Sequence, residues 1–119
     1  SLTDDVSLRE AAAAALCAFL NEYPRYGEHA APFALAVWRA VTPPDEVVII
    51  ASAEQAAQWV QAAMARPSSW QVVRLLDPVG DAQHIAARGY PADRTPVAFV
   101  CQGQTCSAPL VTPQALQAA

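Results

Sequence analysis

With 119 residues, the chain has room for one domain, and folding at this length hides roughly two-thirds of the surface that an unfolded chain exposes. Apolar residues make up 54% and charged residues 15%, against about 25% charged in an average domain. Four glycines and three cysteines exclude collagen, low-complexity disorder and a disulfide-dense secreted scaffold.

The seven cations are all arginine, scattered singly against eleven acids for a net charge of −4. Nucleic acid is therefore not an expected partner, because phosphate binding needs clustered cations. The surface left uncharged is supplied by 27 alanines, which implies that part of it normally faces another protein segment. The longest apolar run, from Ala11 to Leu20, is about half of what spans a bilayer, so no membrane segment is expected. The opening Ser1-Leu2-Thr3-Asp4-Asp5 has neither an initiator methionine nor a positive flank before an apolar stretch. It reads as a piece cut from a longer cytoplasmic protein and not as a signal peptide.

Ser7 and Glu10 form a Ser-x-x-Glu capping box. Leu8, Ala12, Leu16, Phe19, Leu20 and Tyr23 then recur at helical spacing, predicting one helix from about Asp5 to Tyr23, ended by Pro24. Cys17 lies on its apolar face and is expected in the core. A second helix from about Glu28 to Val41 tolerates Pro32 in its first turn and offers Phe33, Val37, Trp38 and Val41 as a buried stripe. Thr42-Pro43-Pro44 stops it.

The character of the chain changes after Pro44. Val47-Val48-Ile49-Ile50 is a β-branched run of the kind buried on both faces of a sheet. Ser52 and Gln55 form a second capping box, with Ala56, Trp59, Val60, Ala63 and Met64 as the inner face of a helix ending near Arg66-Pro67. Trp70 to Leu76 is a second strand, Asp81 to Arg88 a short helix stopped by Gly89, and Pro96 to Cys101 a third strand. Thr112-Pro113 starts a last short helix, threonine as cap and proline in the first turn. The alternation predicts an α/β fold. Two leading helices, residues 1–41, precede a small three-layer Rossmann-like unit, residues 45–119, with a mainly parallel three-stranded sheet of order 2-1-3. The whole is expected to be one domain.

Cys101 and Cys106 are the candidate site. If Gly103-Gln104 is a two-residue hairpin turn with glycine first, Gln102 faces Thr105 and Cys101 lies opposite Cys106. Three readings stand beside one another. The pair is a redox-responsive dithiol or disulfide near the carboxyl edge of the sheet, or two small hydrophobes packing a turn, or half of a metal site. Metal is disfavoured by arithmetic, since zinc takes four ligands and only Cys17, His29 and His84 remain, all remote in sequence. No metal or cofactor is therefore expected. The turn after the first strand, Ala51-Ser52-Ala53-Glu54, lacks the glycines of a phosphate loop, and Glu54 would repel a phosphate. Asp77 reads as the start of an Asp-Pro turn. The pairs Asp4-Asp5 and Asp45-Glu46 read as solvated charges, and no catalytic triad or metalloprotease motif is present.

The closing run carries a resemblance. An apolar strand from Pro96, Cys101, four residues, Cys106, then Pro109, Thr112-Pro113 and Leu116 resembles the end of the spermatogenesis-associated, thioredoxin-domain-containing family. Tyr23-Pro24 between two helices and Pro43-Pro44-Asp45-Glu46-Val47-Val48-Ile49 leading into the first strand follow the same order of parts. The resemblance implies an N-terminal thioredoxin-like domain, an α/α toroid similar to sugar epimerases, and this α/β region at the C-terminus of a longer chain. Residues up to about Val41 would then be the last toroid helices, and the thioredoxin-like active site would lie outside these residues. It further implies a non-catalytic structural or interaction module whose partner is the remainder of the parent polypeptide. Two alternatives remain, a thiol-disulfide module using Cys101 and Cys106 and a small-ligand site at the carboxyl edge of the sheet. An alanine-rich helix face of this kind is also expected to allow a homodimer in isolation.

Overall fold

The computed structural model describes residues 5–91 and 93–119; the opening Ser1 to Asp4, including the first half of the Asp4-Asp5 pair, lies outside the described residues. The chain divides between Pro44 and Asp45 into two compact units.

The first unit is helical. Helix α1, Val6–Ala18, is capped by Asp5, whose carboxylate accepts from the Ser7 backbone N–H at 2.9 Å and from the Ser7 hydroxyl at 2.7 Å. The expected Ser7 cap is thus displaced by two residues, because a carboxylate accepts the N2 N–H better than a hydroxyl engaged elsewhere. The helix also stops five residues before Tyr23. Phe19 and Leu20 donate to Leu16 and Cys17, the tighter spacing that closes a last turn, and Pro24 has no N–H with which to continue the α-helical ladder. A 310 segment, Tyr23–Ala30, follows, with Gly27 at φ 53°, and leads into helix α2, Ala31–Val41. Tyr23 stacks on Phe33 with ring centroids 5.3 Å apart.

No residue of α1, the 310 segment or α2 is buried. Of the expected α2 stripe, Phe33 and Val37 are half-buried, while Trp38 and Val41 are exposed, Val41 to 74%. Cys17, expected in a core, is exposed as well.

The second unit is α/β. Strand β1, Asp45–Ile50, pairs in parallel with β2, Gln71–Leu76, through the crossover helix α3, Ala53–Ala65. Thirteen helical residues span about 20 Å, close to the length of a six-residue strand, so α3 can carry the chain from one end of the sheet to the other. Helix α4, Ala82–Ala87, has six residues and reaches only about 9 Å. The chain therefore re-enters the sheet at the end where β2 left it: strand β3, Val97–Gln102, begins opposite Ile50 and runs antiparallel to β1.

Strand β4, Thr105–Cys106, extends the sheet, whose order is β2-β1-β3-β4. The sheet is mixed and four-stranded where a mainly parallel three-stranded one was expected. The expected neighbours β2, β1 and β3 are kept, and the added strand is the expected hairpin.

Two cores flank the sheet. On one face Val47, Ile49, Ala51 and Ala98 pack with Trp59, Ala62 and Ala63 of α3 and with Leu116 of α5, Pro113–Ala118. Thr112 caps α5, accepting from the Ala115 N–H at 3.1 Å. On the other face Val48, Ile50, Leu76, Val97, Phe99 and Cys101 pack with Ile85 of α4 and with Tyr90, which stacks on Phe99. With all of Val47 to Ile50 buried, β1 is the central strand that its β-branched run requires.

Candidate functional site

The site is built on the β3–β4 hairpin. Gly103 takes φ 60°, while Gln104 keeps a negative φ, the pattern of a two-residue turn with glycine first. Glycine is needed at 103 because an L side chain there would carry the left-handed penalty. The register follows from the turn: Gln102 opposes Thr105, and Cys101 opposes Cys106. Beyond the cysteines the Ser107 N–H donates to the Val100 carbonyl at 2.9 Å, and the Val100 N–H donates to the Ser107 hydroxyl at 3.1 Å. Cys101 and Cys106 thus occupy a non-hydrogen-bonded position, where opposed residues come closest. Their Cα atoms are 3.9 Å apart and the sulfurs are joined in a disulfide.

The two ends of this bond differ. Cys101 is 3% exposed within the core cluster of Val48 and Phe99, whereas Cys106 is exposed. The register sets Glu46 of β1 opposite Cys101, and the Glu46 carboxylate is held by Arg74, 2.6 Å away on β2.

After β4 the chain returns beside β3 through reciprocal backbone bonds between Ala98 and Leu110, both 2.9 Å. The pairing here is one residue out of step with that of the cysteines. Pro109 sits in the resulting bulge, where its missing N–H costs no ladder bond.

A polar cluster occupies the same end of the sheet on the opposite face. Asp45 accepts from Arg66 at 2.8 Å, from the Gln102 amide at 2.8 Å and from the Ser68 hydroxyl at 3.2 Å. The Arg66 side chain is only 7% exposed. Its hydrogen bond, with those of Gln102 and Ser68 and the guanidinium charge, holds the Asp45 carboxyl below the ordinary carboxylate range, against the upward pull of burial. Asp45 and Glu46, expected as solvated charges, are therefore strand residues with cationic partners. Beside the cluster lies an open recess of about 490 Å³, lined by Arg66, Gln102, Thr105, Cys106 and Ser107 among others.

The remaining candidates are dispersed. His84 is half-buried in the last turn of α4. His29 is exposed beside an aromatic hollow formed with Phe19, Tyr23, Tyr26 and Phe33. Among the described residues, no three histidine, cysteine or acidic side chains gather as metal ligands would. Ser52 flanks α3, but its hydroxyl donates to the Gln55 side chain at 3.2 Å and makes no backbone cap. Asp77 opens a turn, accepting from the N–H groups of Val79 and Gly80 at 3.0 and 2.6 Å. A second recess, of about 520 Å³, lies where β3 begins, lined by Pro91, Asp93, Arg94, Val97, Pro109 and Val111.

No helix among the described residues is long and apolar enough to cross a membrane. Set against protein-family models, curated proteins and solved structures, the chain matches none.

Proposed function

We propose that the chain is a structural and interaction module, without catalytic machinery of its own, that packs through its helical unit on a larger helical scaffold. The observation that carries this reading is the absence of any buried residue in α1, the 310 segment and α2. Leu8, Phe19, Leu20, Leu35, Trp38 and Val41 are all exposed there. Helices gain most of their stability by burying an apolar face, and an exposed apolar surface of this extent marks an interaction site. The β-sheet unit, in contrast, buries two clusters of its own.

The scaffold that fits is the remainder of a longer cytoplasmic polypeptide, an α/α toroid joined to a thioredoxin-like domain, as the resemblance of the closing segment implies. In that setting the module covers part of the toroid's cavity, and in isolation its uncovered helices favour a homodimer. Hydrogen exchange of residues 1–119, at concentrations where the chain is monomeric, tests the reading. The amides of α1 and α2 are expected to exchange at least about a hundredfold faster than those of β1 and β3, and to gain protection when a polypeptide carrying the toroid is added. Protection of α1 in the lone monomer equal to that of β1 would refute it.

A further inference from the structure

The module reading leaves the Cys101–Cys106 bond without a role. Three observations bear on it. The bond is asymmetric, with Cys106 exposed and Cys101 packed among Val48 and Phe99. It lies between hydrogen-bonded steps of the hairpin, so Ser107 and Val100 still hold the strands together when the sulfurs part. The exposed cysteine also stands at the hairpin's outer edge, where Arg66, Gln102, Thr105 and Ser107 line an open recess on the other face of the sheet.

We propose that this hairpin is a directional thiol–disulfide exchange site for an accessible protein dithiol, with Cys106 as the attacked sulfur and Cys101 as the leaving and resolving sulfur. In the forward direction a partner thiolate attacks Cys106 Sγ. The Cys101–Cys106 bond breaks, a mixed disulfide forms at Cys106, and Cys101 departs. An apolar setting does not hold a bare thiolate, so Cys101 takes up a proton from water. The partner's second thiol then gives up its proton and attacks its own bonded sulfur, releasing Cys106 as a thiolate that is protonated in turn. Two electrons and two protons pass from partner to hairpin, leaving one disulfide on the partner and two thiols here.

In reverse, the exposed Cys106 thiolate attacks a partner disulfide, and Cys101 displaces the partner. Since the backbone keeps the thiols opposed, this second step is intramolecular and fast relative to escape of the mixed species.

The test uses the full chain carrying Cys17→Ser, which removes the exposed free thiol. Treated with oxidised glutathione after reduction and quenched early with acid, the dithiol protein is expected to carry glutathione on Cys106, as read by peptide mass mapping. With Cys101→Ser added, the remaining Cys106 is expected to react with an aromatic disulfide reagent at least about tenfold faster than Cys101 does in the Cys106→Ser chain. The difference should vanish in urea, where both thiols are exposed. Glutathione found first on Cys101, or equal rates in the folded chains, would overturn the direction of attack. A bond that dithiothreitol opens only after urea has unfolded the protein would overturn exchange altogether. Because the adduct is mapped on the intact pair, the test holds even if a single-cysteine variant fails to fold.

Discussion

Opening the Cys101–Cys106 bond should weaken the β-sheet unit modestly and leave it folded. The cysteines are five residues apart, and closing a loop that short in the unfolded chain is worth only roughly 2 kcal/mol on the chain-entropy account. The folded side of the balance changes little, since the hydrogen bonds between Val100 and Ser107 do not depend on the sulfurs. At a urea dependence of about 2 kcal/mol per molar for a unit of this size, the midpoint should fall by about 1 M. The assay is urea unfolding of the Cys17→Ser chain followed by far-ultraviolet circular dichroism, with and without a phosphine reductant. A fall of more than about 2 M, or unfolding on reduction alone, would show that the bond holds the fold together and would refute the reasoning behind exchange at this hairpin. A fall below about 0.3 M would mean that loop closure is not what the bond supplies.

The other perturbations fall on the surrounding framework. Trp59 is 1% exposed, and its indole N–H has no hydrogen-bond partner among the described residues. Trp59→Ala should therefore cost about 3–5 kcal/mol. Trp59→Phe should cost under about 1.5 kcal/mol, because removing the orphaned donor offsets most of the lost volume. Equal losses in urea unfolding would show that the N–H is satisfied after all. Asp45→Asn leaves the Arg66 charge buried and should cost about 3 kcal/mol at pH 7. The Arg66 hydrogen bond holds the folded Asp45 carboxyl below the ordinary aspartate value of 3.8, so its stabilisation is present in full above that pH and fades as pH falls through the folded value. Denaturation from pH 7 to 2 should show the gap between the two chains closing only below that value, and a gap that closes near pH 6 would contradict the sign. Gly103→Ala meets no atom within 4 Å. The backbone alone sets its cost, about 1–2 kcal/mol in thermal unfolding, and no measurable loss would show that the turn adopts another form.

Local chemistry made some of these features legible. The run Val47 to Ile50 marks the central strand because four consecutive apolar residues can be satisfied only with cover on both faces. The hairpin followed from Gly103, since a two-residue turn with glycine first leaves one register, and that register alone opposed the cysteines. The cap of α5 was equally readable in Thr112-Pro113. The Asp45 cluster could not be read this way. Its Arg66 and Gln102 partners lie 21 and 57 residues away, and nothing in a run such as Pro44-Asp45-Glu46 distinguishes a solvated acid from one that a buried guanidinium will meet.

The direction of β3 is a different kind of miss, because the information was present. Alternation of strands and helices suggests parallel crossovers, but each crossover must also carry the chain the length of a strand. A helix over residues 81–88 spans only about 12 Å, too short for that return. Length, and not pattern, decides the polarity of this strand. The consequence reaches the site itself. Were β3 parallel to β1, it would end beside Ile50 and the hairpin would project from the end of the sheet where the second recess lies. Running antiparallel, it delivers Cys101 beside Glu46 and Gln102 beside Asp45. The disulfide and the charged cluster therefore share one end of the sheet, on its two faces, because α4 is short.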